Sequence, residues 1–587
     1  MIPLGVHGAV PGRGRRVQTI LPTAFIALIG ACVTCSAARA QVGAGQVAPP
    51  SSPIERAIPP EQPRALPPLP ITPAPELPQE QAGQIVTIHK VTVEGSTVYP
   101  QAELEAFFAG ITNKPTRMGD VAGLIGQLQA KYRGDGYFLT VVRGNVDRDT
   151  LRVRVVEGFI NSVKLDGDIG PAGVQVYRFL AKLTEERPAR ISDVERALLL
   201  SQDVPGISIR AVLRPGSGEP GAVDLIAQVG RKPFDGFVQV DNRASPFAGP
   251  WEMLVGASAN SFTSFGERSE AIIYDTPFND EQVFGQATLE GFVGGSGLKL
   301  RTYVGYGPSN PGGALASTGF HSTTLLAGIG ASYPIIRTRP LSLFINLAFD
   351  ISQNEVETNV AGVRETQSID NLRIVRLGEN LTFQDDTLGW GQTGANLFNL
   401  TVHQGLDGLG AQLGPPAGSR AGARLGFTKL SGELTRVQDL FQAGNFQFAL
   451  KLSAGGQYSG DILPSSETYF LGGTRYGRGF FSGEVTGDSA IGTTVELQVN
   501  TSVDVPWHIG LQPYLYYDNG RAWDNSPTPT AIPSQHLSSA GIGVRGALSP
   551  QISAEVELAH RITRQPTGAN VSPEGANVIL TGVTARF

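Results

Sequence analysis

Cysteine is nearly absent from this chain. Of 587 residues only Cys32 and Cys35 are cysteine. Both sit in an N-terminal apolar stretch, so a chain cut after them has none, and neither a disulfide nor a structural zinc holds its fold. Charged residues are sparse at 17%, and a net charge of -6 offers no basic face to a nucleic acid. Beyond the N-terminus no apolar run reaches the length of a membrane helix, which argues against a helical membrane protein. Catalytic signatures are missing as well. There is no G-x-S-x-G serine and no G-x-x-x-x-G-K-[ST] phosphate loop, and the seven histidines are scattered without ligand spacing. No catalytic residue, metal site or cofactor is therefore expected. Glu555 and Glu557 stand two apart on one alternating segment, where they read as lining of a wet interior rather than as an acid pair.

What the chain has in plenty is glycine, 73 residues, and short segments that alternate apolar with polar. At this length several units with separate cores are expected. Residues 1–40 read as an export signal: Arg13, Arg15 and Arg16, then ILPTAFIALIGACVTCSA, then Ala38-Arg39-Ala40 as the cleavage site. Lipidation at Cys32, after Ile29-Gly30-Ala31, is the rival; the well-formed A-x-A site favours cleavage after Ala40. Residues 41–84 are proline-rich from Pro49 to Pro78, so no helix or ladder should propagate there and the segment should be an extended, semi-rigid tether.

Residues 85–158 read as strand, helix, helix, strand, strand. Leu104, Phe107 and Phe108 make one helical face, and Val121, Leu124, Ile125, Leu128 and Tyr132 make another. Residues 159–233 repeat that order, with Ser192 and Glu195 expected to form a capping box on the second helix. The closing strands of such units offer edges to which an extended chain can add; the plain alternative is a pair of spacers.

Residues 234–587 hold about sixteen amphipathic segments, the even number a closed bacterial barrel requires. In LSLFINLAFDI, Leu341, Leu343, Ile345, Leu347, Phe349 and Ile351 should face lipid, and Ser342, Asn346 and Asp350 the lumen. No backbone amide can go unpaired in hydrocarbon, so the strands must close. The fold class expected is an all-β transmembrane barrel of about sixteen antiparallel strands preceded by two small α+β domains. At the C-terminus Ile579, Thr581, Val583, Ala585 and Phe587 share one face.

The stretch from Phe470 to Leu497 places an arginine among glycines in a long loop and then opens a strand in which Val495, Leu497 and Val499 alternate with Glu496, Gln498 and Asn500. On the next strand Asp518 takes the opposite phase to Leu515 and Tyr517, so Glu496 and Asp518 should both point inward. Gly477-Arg478-Gly479-Phe480, preceded by Leu471-Gly472-Gly473 and followed by Gly487-Asp488, resembles the lid-loop motif of two-partner secretion transporters of the haemolysin secretion/activation type (the TpsB family). The same motif marks their relatives, the BamA-like barrel assembly proteins. The two α+β units resemble the polypeptide-transport-associated (POTRA) domain, the second through Asp203-Val204-Pro205-Gly206, Pro215-Gly216 and Gly221. The first lacks the proline-glutamine element many relatives carry and has NVDRDT in its place.

The resemblance implies a lid loop over 460–490 in which Arg478 meets Glu496 and Asp518, and a terminal strand whose Phe587 serves as insertion signal. It implies an outer-membrane pore with its POTRA domains in the periplasm, capturing one large unfolded exoprotein, an adhesin or cytolysin, and passing it outward. The barrel-assembly machinery and outer-membrane lipid are the other partners implied, and a monomer is expected. A long pore-plugging helix, found in some relatives, is not expected because of the prolines. The other readings are a BamA-like insertase, which should carry more POTRA units, then a diffusion porin, then an outer-membrane enzyme.

Overall fold

Residues 52–58 and 83–587 are described by the computed structural model, apart from 280, 361, 388–391, 416–417, 505–507, 527–532 and 566–575. The export signal, with Cys32, and most of the tether lie outside the described residues. Two α+β units follow one another along the chain. In the first, the sheet runs Lys90–Glu94, Thr150–Val156, Val141–Asp147, parallel then antiparallel. The helices Gln101–Phe107 and Met118–Gly134 cover it, and the residues at helical spacing, Leu104, Phe108, Val121, Ile125, Leu128 and Tyr132, form its core with Leu151 and Val153. The second repeats this order with strands Phe159–Asp166, Ala222–Arg231 and Ile207–Pro215 under helices Gly173–Ala181 and Ile191–Gln202.

The rest of the chain closes on itself. Sixteen antiparallel strands, from Phe234–Asp241 to Asn577–Arg586, form a barrel, with the short strand Gln412–Gly414 added at one edge. Alternation decides which side chain goes where. On Leu341–Val360, Leu347 is 52% exposed while Ser342, Asn346 and Asp350 are buried in the interior, and the same two-residue period holds on Ser489–Asp504, where Val495 is exposed and Glu496 buried. The outside is an apolar band and the inside a polar, charged lumen. Closure is short: the last strand meets the first over five register pairs, Gly582↔Asp241 to Arg586↔Phe237. The second α+β unit is docked on the barrel by a two-pronged contact of Arg337 with Asp203, at 2.5 and 2.9 Å, and by Phe179 edge-on to Phe292.

Two local expectations are corrected. The helix meant to be capped by Ser192 starts earlier, at Ile191, with Arg190 at the N-cap and no side-chain cap. Contacts with the first unit set that start: Ile191 N–H donates to Gly136 O and Arg190 donates to the Tyr137 hydroxyl. Ser192 is thereby left inside the first turn, where its hydroxyl reaches only Asp193.

The tether, too, is not extended throughout, since Pro53–Ala57 is a helical turn. Proline is tolerated at the first helical position, where its missing N–H would be unpaired in any case, and the Ser52 hydroxyl accepts from Glu55 N–H. This turn lies inside the barrel, with Ile54 and Ala57 buried among the inward-facing Leu254, Ile272, Tyr274, Phe284, Tyr303 and Leu326.

Candidate functional site: a loop folded into the lumen

Between the strands Phe446–Ser459 and Ser489–Asp504 the chain makes a long excursion into the barrel instead of a tight hairpin. The excursion is ordered by a 3-10 turn, Ser465–Glu467, and by a two-stranded ladder of Tyr469–Leu471 with Val485–Gly487. Its apolar side chains Leu471, Tyr476, Phe480 and Val485 pack on Ala490, Ala522 and Leu537 of the wall. Glycine is required at two places. Gly477 has φ +85°, and a Cβ there would lie 2.3 Å from Leu537 Cδ1. Gly492 on the wall leaves the groove that Tyr476 fills, a Cβ there falling 2.4 Å from Tyr476 Cγ.

Arg478 is carried by this loop to the wall and is 6% exposed. Its Nη1 donates to Glu496 Oε2 at 2.6 Å, and its Nε and Nη2 donate to the two oxygens of Asp518 at 3.1 and 3.2 Å. The guanidinium lies over the Tyr516 ring, 3.5 Å from its centre. Asp518 also accepts the backbone N–H groups of Gly477 and Arg478 and the Thr494 hydroxyl. It therefore binds the loop's main chain as well as its side chain. Bidentate, charge-assisted bonds of this kind are the strong ones, and with both carboxylates fully buried water competes little for them. The Glu496 and Asp518 positions read from strand phase are both brought to Arg478, and a third carboxylate, Glu557, stands 3.8 Å from its Nη1.

The flanking motif residues are also placed. Gly479 donates its N–H to Ser539 Oγ and its carbonyl accepts from Arg561 Nε at 2.6 Å. Phe480 is 3% exposed. Asp488, where the loop rejoins the wall, holds Arg420 at 2.5 and 3.0 Å. Glu555 and Glu557 belong to the same wall: Glu555 meets Arg243 at 2.8 Å, and Glu557 accepts from the hydroxyls of Tyr514 and Tyr516. Phe587 is exposed, its backbone paired with Gly236 at 3.0 Å.

Sequence reading missed Arg545, which shares Glu496 at 2.7 and 3.2 Å. It also missed the tether turn, which touches the loop through Thr474 Oγ1 donating to Arg56 O and through Arg56 over the Phe470 ring. Arg545 was findable, because it has the inward phase on its strand; the turn carried no periodic signal. Among the described residues no group of three or more His, Cys, Asp or Glu stands together as a metal site.

Two family profiles match the chain. That of the haemolysin secretion/activation protein ShlB/FhaC/HecB covers residues 345–546 and that of the POTRA domain, ShlB-type, covers 86–158. The heme/hemopexin transporter protein HuxB of Haemophilus influenzae (strain 86-028NP) is 21% identical over 431 residues, 71% of this chain and 72% of that protein. In fold the chain is similar to CdiB from Escherichia coli, with TM-score 0.68 and 17% identity over 88% of this chain and 94% of that one. It is also similar to CdiB from Acinetobacter baumannii, with TM-score 0.59 and 13% identity over 90% and 94%. With a closed sixteen-strand barrel behind POTRA domains and these profiles matched over residues 345–546 and 86–158, the chain is similar to the ShlB/FhaC/HecB proteins: it is an outer-membrane two-partner secretion transporter with its POTRA domains in the periplasm.

Proposed function

We propose that the lumen loop is the lid of this pore, with Arg478 as its anchor and Glu496 and Asp518 as the anchor's receptors. The observation that carries this reading is the buried, bidentate seat of Arg478 on Asp518, which also accepts two main-chain amides of the loop. A loop so held occupies the lumen until the contacts are released. In this reading residues 159–233 are a second POTRA domain. The pair takes up one large exoprotein in unfolded form by strand addition at an exposed sheet edge, and the client folds outside after passing through the barrel. Folding beyond the pore supplies the drive, since the chain has no nucleotide-binding loop. The protein performs no catalysis, works as a monomer in outer-membrane lipid, and is inserted by the barrel-assembly machinery through its last strand, Asn577–Arg586, with the outward row that ends at Phe587.

The test is quantitative proteomics of culture medium and outer membrane in a deletion strain, an Arg478→Ala strain and wild type. The expected result is loss of one large exoprotein from the medium in the deletion, other barrels unchanged, and a matching loss in Arg478→Ala at normal transporter level. A fall of many barrels together would instead identify an assembly factor. Normal secretion by Arg478→Ala would remove the lid role.

A further inference from the structure

The lid loop carries a second buried charge, on its other arm. Glu467 ends the 3-10 turn Ser465–Glu467 and is 1% exposed. Its carboxylate stands 2.8 Å from Lys429 Nζ and 3.3 Å from Arg376 Nη2, and its carbonyl accepts from Lys429 Nζ at 2.8 Å and Gln457 Nε2 at 3.1 Å. Arg376, also 1% exposed, pairs in addition with Asp350 and donates through Nε to His403 Nδ1. Asp350 in turn accepts from the Tyr303 hydroxyl. The wall groups come from separate strands: Asp350 from Leu341–Val360, Arg376 from Val363–Asp385, His403 from Gly394–Gly405 and Lys429 from Thr428–Ala443. The strands that receive Arg478, Ser489–Asp504 and His508–Trp523, are the second arm of the hairpin that bears the loop and the strand after it, on the opposite side of Phe446–Ser459 from these four.

Charge explains why Glu467 belongs there. Arg376 already pairs with Asp350, whereas the ion pair of Lys429 comes from Glu467 of the lid; Glu55 of the tether turn adds a further anion within electrostatic reach of both cations. A buried cation without its counter-charge is costly, so the wall is incomplete with the loop absent. In the sector facing Arg478 the need is reversed at Asp518, whose ion pair comes from the loop, while Glu496 is already shared with Arg545 of the wall.

Building on the lid reading above, we propose that Glu467 is a second lid anchor, held by Arg376 and Lys429 as Arg478 is held by Glu496 and Asp518. The loop is a strap fastened at both arms by charges of opposite sign, and the pore opens fully only when both are released. Glu467 acts by positioning the lid; it is not asked to touch the client.

The experiment uses the full-length protein in planar bilayers and reads the fraction of time spent in the large-conductance state. Glu467→Gln is expected to raise that fraction about tenfold, and combination with Arg478→Ala to raise it above either single variant but by less than the product of the two effects, since release of one anchor weakens the other. The swapped pair Glu467→Lys with Lys429→Glu should fall back towards wild type relative to Glu467→Lys alone, a rescue that general loss of packing would not give. Should Glu467→Gln fail to reach the heat-modifiable barrel form, Lys429→Met weakens the same seat from the wall side and should raise the open fraction likewise. If Arg478→Ala opens the pore while Glu467→Gln or Lys429→Met leaves it at the wild-type level, or if the swap gives no rescue, the second anchor is overturned and the lid reading survives. If Arg478→Ala itself changes nothing, the lid reading and the anchor fall together.

Discussion

The two carboxylates at Arg478 are not equivalent, and their difference can be measured. Asp518 accepts from Arg478 Nε and Nη2, from the main-chain N–H groups of Gly477 and Arg478, and from Thr494 Oγ1. In Asp518→Asn the charge disappears and one oxygen becomes an NH2 group, which faces donors it cannot satisfy. Removing one partner of a buried ion pair costs about 3 kcal/mol, a shift of about 150-fold between closed and open lid. Glu496 is shared, because Arg545 binds it at 2.7 and 3.2 Å. When Glu496→Gln removes that charge, Arg478 keeps Asp518, and Arg545 keeps Gln512 at 2.9 Å and Glu555 at 3.5 Å. The expected loss is about 1 kcal/mol, the size of an ordinary hydrogen-bond change. Amide hydrogen exchange of peptides covering the loop reads the opening equilibrium directly. Exchange at Gly477 and Arg478 should accelerate about a hundredfold in Asp518→Asn and several-fold in Glu496→Gln. Equal acceleration in the two variants, or the reverse order, would show that main-chain capture by Asp518 does not hold the loop.

Three further outcomes follow from other contacts. Asp203→Asn removes the charge from the two-pronged, partly exposed contact with Arg337 and should loosen the joint between the second α+β unit and the barrel by about 1–2 kcal/mol, read as a broadened distance distribution between spin labels on the two parts. Gly492→Ala drives a methyl group into Tyr476 and should cost about 1–3 kcal/mol of lid closure, seen as faster exchange at Tyr476 with an unchanged melting profile of the barrel. Ile54→Asp sets a charge among Leu254, Ile272, Phe284 and Leu326 and loses at least about 2 kcal/mol of apolar burial, so the tether turn should leave the lumen and Arg56 become open to trypsin.

Much of this architecture was legible because a strand has a period of two. Burial on one face shows directly as alternation, and so Ser342, Asn346, Asp350, Glu496 and Asp518 could be assigned to the lumen before any coordinates. The helical faces of the first unit were legible for the matching reason at a period of 3.6. What escaped notice is held by contacts between distant segments. The start of the Ile191–Gln202 helix is set by Gly136 and Tyr137 of the preceding unit, which no local cap signal reports. Pro53–Ala57 hides in a proline-rich run because only its first position is tested by proline, and its stability comes from wall residues hundreds of positions away. Glu467 follows Pro464-Ser465-Ser466 in a loop without periodicity, and the Arg376 and Lys429 that give it meaning lie on other strands. Arg478 was found only because a known motif surrounds it.

A lid fastened by buried charges behaves differently from one fastened by apolar packing alone, and salt separates the two cases within this molecule. Screening acts where ions reach: the Debye length falls from about 10 Å at 0.1 M to about 3 Å at 1 M salt, while buried pairs are screened far less. The Arg478 side chain is 7% exposed and its two carboxylates 0%, and Arg376, Asp350 and Glu467 are each 1% exposed. Between 0.1 and 1 M salt the wild-type open fraction should therefore change less than about twofold, whereas the more exposed Arg337–Asp203 joint should weaken visibly. Once water enters, the balance changes. A pair 4 Å apart is worth about 4 kcal/mol at an effective dielectric of 20 and only about 1 kcal/mol in bulk water, so release of one anchor wets and weakens the other. Opening should then be abrupt, with full closure and full conductance and little between them. A steep rise of the open fraction with salt, or a graded series of sub-conductance levels, would mean that the clasps are already hydrated in the closed pore and that packing of Tyr476 and Phe480 holds the lid instead.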